Sequence, residues 1–422
     1  MQKTPKGNRL HIGILGRTNV GKSSILNLFT GQDIAIVSDV AGTTTDIVEK
    51  AMELLPIGPV VFIDTAGLDD YSELGKLRVQ KTMKVLDRAD IVLLVVEADM
   101  WTDYEDMILE EVTKRNTPIL TIINKVDLKE PTLDFIEKVK QFKGEYIKIS
   151  AIDKNNRDKY LNELKNKIYR IVPEDFFRES TLAGDLVKPG GLAILVVPID
   201  LQAPKGRLIL PQVQTIRDIL DNDAMVLVVK ERELAYAISN LKDKPDIVIT
   251  DSQAVLKVAA DVPENIKMTT FSILFARYKG ELNELVRGLA HLKFLKDGDK
   301  VLIAEACTHH PLQDDIGRVK IPRWLRQFTG ADFMVDVYAG RDFPQNLNEY
   351  KVVIHCGGCT LNKKEMMSRI RIVNEHNVPM TNYGLCISYT QGVLERALSP
   401  FPSALMTFKK EIKKLQKVKD NE

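Results

Sequence analysis

Two groups of residues in this chain have types and spacings that could do chemistry. The first is GRTNVGKSS, in which Gly16 through Ser23 match G-x-x-x-x-G-K-S. Glycines at those places let consecutive backbone N–H groups curl around phosphate oxygens, and a helix starting just after adds the positive end of its dipole. Lys22 then reaches the β- and γ-phosphates and the Ser23 hydroxyl ligates Mg²⁺. Gly16, Asn19, Val20, Gly21, Lys22, Ser23 and Ser24 are the expected phosphate cradle. The second group is soft: Cys307 with His309 two residues on, and IHCGGCT, which holds His355, Cys356 and Cys359. That spacing is one that metal sites use.

The phosphate loop alone is weak evidence, because an ordinary strand-to-helix turn can be rich in glycine. Four further stretches follow it in order. GTTTD at 42–46 sits where a switch senses the γ-phosphate, with Thr44 as second Mg²⁺ ligand and Thr43 as its alternative. VVFIDTAG at 60–67 ends an apolar strand in Asp64, which would hold Mg²⁺ through water, and brings the Gly67 N–H to the γ-phosphate. ILTIINKVD at 119–127 delivers Asn124, Lys125 and Asp127. The Asp127 carboxylate can accept two hydrogen bonds from the guanine edge. Adenine has no matching donor pair, and leaving a desolvated carboxylate unpaired costs ~1–3 kcal/mol. YIKISA at 146–151 places Ser150 and Ala151 over the base. Five motifs in register predict a doubly wound α/β GTPase domain that converts GTP to GDP and phosphate. Leu68 follows DTAG where a water-orienting glutamine often stands, so hydrolysis is expected to be slow unless other electrostatics replace it.

The soft residues also sit at strand ends. KVLIAEA at 300–306 runs into Cys307, and YKVVIH at 350–355 runs into Cys356. Open α/β sheets put their sites at such carboxyl ends, and Gly357 and Gly358 let the chain wrap closely. On spacing alone a structural zinc site of Cys₃His type and an iron–sulfur cluster both stand open. The fourth ligand could be His309, His355, Cys386 or Asp314. Cys386 lacks paired spacing and reads as a buried small residue, and His291 and His376 as structural.

The elements that must position these groups exceed one ordinary core. At 422 residues, two to four domains are expected. A stretch rich in proline, glycine and charge (172–191) reads as a linker. Beyond it, alternating strands and helices over 185–263 hold neither cysteine nor histidine. Strands in so small a unit could leave an edge for a second copy or be buried within the chain, and the loop at 202–212 could be a dimer contact or a surface turn. The basic stretch 408–422 reads as a solvated terminal helix or tail. Apolar residues make up 44% and charged residues 28%, with a net charge of +1, which gives no electrostatic case for a nucleic-acid or membrane partner. The start of the chain lacks a signal-peptide core, no apolar run is long enough to span a bilayer, and the four cysteines suit a reducing compartment. A soluble cytoplasmic protein is expected.

Asn19 in the phosphate loop, together with GTTTD, resembles the TrmE, Era and EngA family of tRNA-modification and ribosome-assembly GTPases. That resemblance implies a K⁺ ion, held partly by Asn19, where an arginine finger would act. Thr45 stands where that pattern usually has arginine, with no consequence for the nucleotide chemistry. Over essentially the whole chain, the GTPase motifs, the cysteine-free middle, Cys307-x-His309 and, 45 residues later (310–354), His355-Cys356-x-x-Cys359 resemble the HydF family of FeFe-hydrogenase maturation GTPases. The resemblance implies a GTP-binding domain (8–172), a small α/β dimerisation domain (185–263) and an α/β iron–sulfur cluster-binding domain (268–408). It also implies a 4Fe–4S cluster on Cys307, Cys356 and Cys359 and a homodimer. The implied role is a scaffold that takes a diiron precursor from two radical-SAM maturases and delivers it to apo-hydrogenase. The alternative is a ribosome- or tRNA-directed GTPase whose cysteines hold structural zinc. A catalytic metal hydrolase would need an acid or base beside the cysteines that the sequence does not identify.

Overall fold

A computed structural model describes residues 4–30, 48–64, 74–141, 145–177, 181–198, 208–306, 315–340, 343–344 and 346–420. Thr43, Thr44, Thr45, Gly67, Leu68, Cys307, His309 and Asp314 lie outside the described residues. The chain forms two compact units, Met1–Glu179 and Ser180–Glu422.

The first unit is built on β1 (Leu10–Leu15), β2 (Val48–Leu54), β3 (Gly58–Asp64), β4 (Ile91–Glu97), β5 (Ile119–Asn124) and β6 (Glu145–Lys148). They lie in the order β2-β3-β1-β4-β5-β6, with β2 antiparallel to β3 and the other pairs parallel. A parallel sheet covered on both faces needs strands that are apolar throughout, and β4 buries every residue from Ile91 to Val96. Alternate residues face opposite ways. Leu93 and Val95 pack with Ile25 and Phe29 of the helix Lys22–Thr30 and with Leu164 and Ile168 of the helix Arg157–Ile171. Val92, Leu94 and Val96 pack on the other side with Val85, Ile108 and Val139. The helix Asp103–Lys114 starts in a capping box of Thr102 and Glu105, which satisfies backbone N–H groups that have no partner inside the helix.

The second unit holds two parallel four-stranded sheets. One contains β7 (Leu192–Val196), β8 (Met225–Val229), β9 (Ile247–Thr250) and β10 (Lys267–Thr270), in the order β10-β9-β7-β8. The other contains β11 (Lys300–Glu305), β12 (Met334–Ala339), β13 (Val352–His355) and β14 (Met380–Asn382), in the order β12-β11-β13-β14. In both, the first strand is flanked by the second and third, and the fourth lies beyond the third. One apolar core, from Leu182 to Phe408, runs under both sheets. The strand-and-helix alternation expected over the middle segment is present as β7, the helix Leu210–Asp221, β8, the helix Leu234–Ser239, β9 and the helix Val255–Asp261. The basic terminus is a helix, Pro402–Asp420, anchored through buried Ala404 and Phe408.

This connectivity positions the cysteine loop. The chain leaves β11 toward β12 and returns to its other side as β13, so a crevice opens between the carboxyl ends of β11 and β13. Cys356 is the residue after β13. Among the described residues no helix is long and apolar enough to cross a membrane.

Candidate nucleotide site and cysteine loop

The phosphate loop joins β1 to the helix Lys22–Thr30, and its shape depends on residues without a side chain. Gly16 has φ +152° and a Cβ there would stand 2.3 Å from the Val95 carbonyl oxygen. Gly21 has φ +95° and its Cβ would stand 2.2 Å from Nδ2 of Asn124. Asn19 is also in the left-handed region, at φ 63°. The Lys22 amine donates across the loop to the carbonyls of Gly16 at 3.1 Å and Arg17 at 2.8 Å.

Asn124 joins three of the five motifs. Its Nδ2 donates to the Val20 carbonyl at 2.8 Å, and its Oδ1 accepts from the Ala151 N–H at 3.0 Å. Sequence reasoning placed Asn124 with the ligand contacts; here its amide is spent on bracing the phosphate loop against the Ser150–Ala151 turn. Asp64 is wholly buried at the end of β3. Lys125, in the left-handed region, pairs with Glu97. Asp127 is exposed, and Ser150 Oγ is buried with no hydrogen-bond partner among the described residues. An exposed carboxylate and a buried hydroxyl with no partner among the described residues suit a purine ring that offers donors and acceptors on its edge. Arg17 was not singled out in the sequence, because it fills a variable place in the motif. Its Nε donates to buried Glu105 at 2.9 Å and its Nη2 to the Met100 carbonyl at 3.0 Å. Asp99 accepts from the Thr132 N–H at 2.9 Å and hydroxyl at 2.7 Å, and so holds the loop that follows Asp127.

The cysteine loop is held differently. The Cys356 N–H extends the β11–β13 ladder to the Ala304 carbonyl at 2.9 Å. The Ala306 N–H donates to Cys356 Sγ at 3.1 Å, a bond that favours a thiolate. Cys356 and Cys359 are half-buried. Lys279 is only 1% exposed, and its amine donates to three carbonyls of the loop, Gly358 at 3.2 Å, Cys359 at 2.9 Å and Leu361 at 2.7 Å. Burial lowers the Lys279 ammonium to about 8, while Cys359, Cys356 and Glu365 pull it upward. It stays charged at neutral pH. The Cys359 thiol is pushed up by burial and pulled down by Lys279.

His355 needs a correction. It stood among the candidate fourth ligands, yet it is fully buried and both ring nitrogens are engaged. Nε2 lies 2.9 Å from Nη1 of Arg369, which can only donate, and Nδ1 lies 2.7 Å from the Cys356 carbonyl, which can only accept. The ring is therefore the neutral tautomer with its proton on Nδ1. Burial, and then the neighbouring Arg369 charge, depress its pKa to about 3. In this arrangement neither nitrogen is left to bind a metal. Cys386 lies inside the helix Tyr383–Thr390, 1% exposed, and burial pushes its thiol far up. It is a core side chain. His376 Nδ1 pairs with the Ile372 carbonyl at 2.8 Å near the end of its helix.

Among the described residues no three His, Cys, Asp or Glu side chains converge as metal ligands; Cys307 and His309, part of the expected set, lie outside them. The described part has the right chemistry for an iron–sulfur cluster. Two thiols sit beside a buried ammonium and a backbone N–H aimed at sulfur, which are the partners that thiolate-bound clusters use.

Family models match three stretches of the chain. Residues 182–280 match the hydrogen maturase F dimerization domain and residues 283–400 the hydrogen maturase F tetramerization domain. This chain belongs to the hydrogen maturase F family. The two matches together cover more than half of it. Residues 11–125 match the family described as 50S ribosome-binding GTPase, so this chain carries a GTPase domain ahead of its two family domains. Among curated proteins, the tRNA modification GTPase MnmE of Lactobacillus helveticus is 44% identical over 38% of this chain and 34% of its own length. GTPase Der of Wolinella succinogenes is 33% identical over 40% of this chain and 37% of its own. The chain thus spans about a third of each relative's length. A crystal structure of Aquifex aeolicus Era bound to GDP and AlF4⁻ aligns over 52% of this chain and 93% of that one, at 22% identity and a TM-score of 0.32.

Proposed function

We propose that this member of the family is a GTP-hydrolysing scaffold and carrier that holds a 4Fe–4S cluster and delivers a diiron precursor to apo FeFe-hydrogenase. The observation that carries the reading is the cysteine loop at the crevice between β11 and β13, with Lys279 and the Ala306 N–H turned to it. Cys356 and Cys359, with Cys307, would hold the cluster, and His309 is the remaining histidine candidate for a fourth place. When bound, such a cluster supplies an iron whose last coordination site can exchange. A carrier must grip its cargo and also release it, and an incomplete ligand set permits both.

In the GTPase domain Lys22 would bind the β- and γ-phosphates, Ser23, Thr44 and Asp64 would serve Mg²⁺, and the Gly67 N–H would meet the γ-phosphate. Asn19 would help hold K⁺, and Asp127 would select guanine. Loops that order around the γ-phosphate can then bias partner affinity. The partners of this reading are a second copy of the chain, the radical-SAM maturases and the apo-hydrogenase, in the cytoplasm, with neither nucleic acid nor membrane involved.

The test is metal and sulfide analysis after anaerobic reconstitution, on the natural chain and on a Cys307→Ser, Cys356→Ser, Cys359→Ser triple variant. Iron with labile sulfide is expected in the first and is lost in the second, while GTP turnover persists in both. Stoichiometric zinc without iron would overturn the reading in favour of a ribosome- or tRNA-directed GTPase with a structural zinc site.

A further inference from the structure

The second unit contains an internal likeness that explains an otherwise costly residue. MTTFSILFARYKG (268–280) and MTNYGLCISYTQG (380–392) align without a gap. Each is the fourth strand of its sheet followed by a helix. Thr270 caps the first helix by accepting from the Ile273 N–H, and Asn382 caps the second by accepting from the Leu385 N–H. Ile273, Leu274 and Phe275 are buried in one, and Leu385, Cys386 and Ile387 in the other. The helices also reach across: Phe271–Lys279 packs against the helix Lys363–Glu375 of the second sheet, and Tyr383–Thr390 against Ser252–Ala254 of the first.

The alignment sets Lys279 opposite Gln391, which is half-buried. A helix of this design therefore does not require an ammonium at that place. The charge appears in the copy that faces the cysteine loop, where burying it is tolerated because all three N–H groups find carbonyl acceptors. The Phe275 ring covers it, 5.0 Å from the amine.

We propose that Lys279 is a positioning residue for the cysteine loop: it fixes the backbone of Gly358–Leu361 through three carbonyls and so holds a positive charge within the loop that carries Cys356 and Cys359. It does so from the end of the segment matched as the dimerization domain, so the two family domains meet at the thiols. The charge favours anionic sulfur and, in a loaded protein, the more negative reduced state of the cluster. The loaded state rests on the function proposed above; the loop-holding role does not.

The experiment has two arms on the full chain. In iron-free protein, hydrogen–deuterium exchange of the amides of Cys356–Asn362 is compared between the natural chain, Lys279→Met and Lys279→Gln, with Gln391→Met as the internal control. Exchange in that loop should rise about tenfold or more in Lys279→Met, less in Lys279→Gln, which keeps two donors, and not in the control. A rise spread evenly over the unit, or none in the loop, would overturn the positioning role. If Lys279→Met does not fold, the Lys279→Gln comparison decides alone. In reconstituted protein the cluster midpoint potential should fall in Lys279→Gln and recover in Lys279→Arg. An unmoved potential would overturn the electrostatic half. A natural chain that takes up no iron sinks the proposed function and leaves the exchange arm standing.

Discussion

The phosphate loop and the cysteine loop both follow a strand that is flanked by parallel neighbours, at its carboxyl end, and they are built by different means. In the first, the backbone sets the shape, with Asn124 as a single remote brace: Gly16 and Gly21 take positive φ values in places where a Cβ would strike Val95 or Asn124. In the second, side chains from elsewhere do it. Lys279 reaches Gly358, Cys359 and Leu361 across 79, 80 and 82 residues of sequence, respectively. Arg369 reaches back to His355. A site made of consecutive peptide groups is sensitive to the removal of conformational freedom. A site made of convergent side chains is sensitive to the loss of one remote partner.

The largest effect should come from taking that freedom away. Gly21→Ala would place a methyl 2.2 Å from Asn124 Nδ2 at φ +95°. It adds backbone strain of ~1–3 kcal/mol and displaces the amide that braces Val20 and Ala151. Together these should weaken GDP binding by roughly 100-fold or more, read by titration calorimetry, with thiol content and second-unit stability unchanged. Near-natural GDP affinity in this variant would break the contrast.

That contrast also accounts for what the sequence could and could not disclose. The nucleotide motifs were legible because each is a short run whose spacing is its geometry, and the predicted strands β1, β3, β5 and β6 do bring the described ones, the phosphate loop, Asp64, Asn124–Asp127 and Ser150–Ala151, to one edge. Cys356 was legible as the residue after an apolar strand. Lys279 was not, since a lysine late in a helix ordinarily points to water, and its burial depends on a loop from the other sheet. His355 misled for a related reason. A histidine beside a cysteine has ligand spacing, and only the placement of Arg369 on Nε2 reveals that its lone pair is already used. The shared core beneath β7–β10 and β11–β14 was equally hidden, because periodicity tells which residues are apolar but not which sheet they face.

Next in size is the loss of a remote partner. Arg369→Met would leave two acceptors, the buried His355 Nε2 and the half-buried Gly340 carbonyl, without the donors that now stand 2.9 and 2.8 Å away. It also removes the cation stacked 5.1 Å over Phe343. A cost of about 2–4 kcal/mol is expected from orphaned acceptors in a buried place. The chain has two tryptophans, Trp101 in the first unit and Trp324 in the second. Denaturant unfolding followed by Trp324 fluorescence in a Trp101→Phe background should therefore shift, while GDP affinity holds. Equal loss in both units would mean that the two loops are not independently supported.

The smallest effect tests the side-chain-held exception on the nucleotide side. Asp99 fixes the loop after Asp127 by accepting from the Thr132 N–H and hydroxyl, and it lies 3.0 Å from the Lys129 amine. Those bonds, the Thr132 backbone N–H first, lower its pKa from 3.8 to about 2. A carboxylate whose folded value is depressed contributes stability that is complete above its unfolded value and is lost as pH falls through the folded one. The stability difference between the natural chain and Asp99→Asn should thus be constant above about pH 4 and fade as pH falls from there toward about 2. Trp101 fluorescence in a Trp324→Phe background follows it. A difference that stays unchanged as pH falls from about 4 toward about 2 would show that Asp99 has the same pKa folded and unfolded, as an ordinary solvated acid does, and that the loop beyond Asp127 does not depend on its carboxylate.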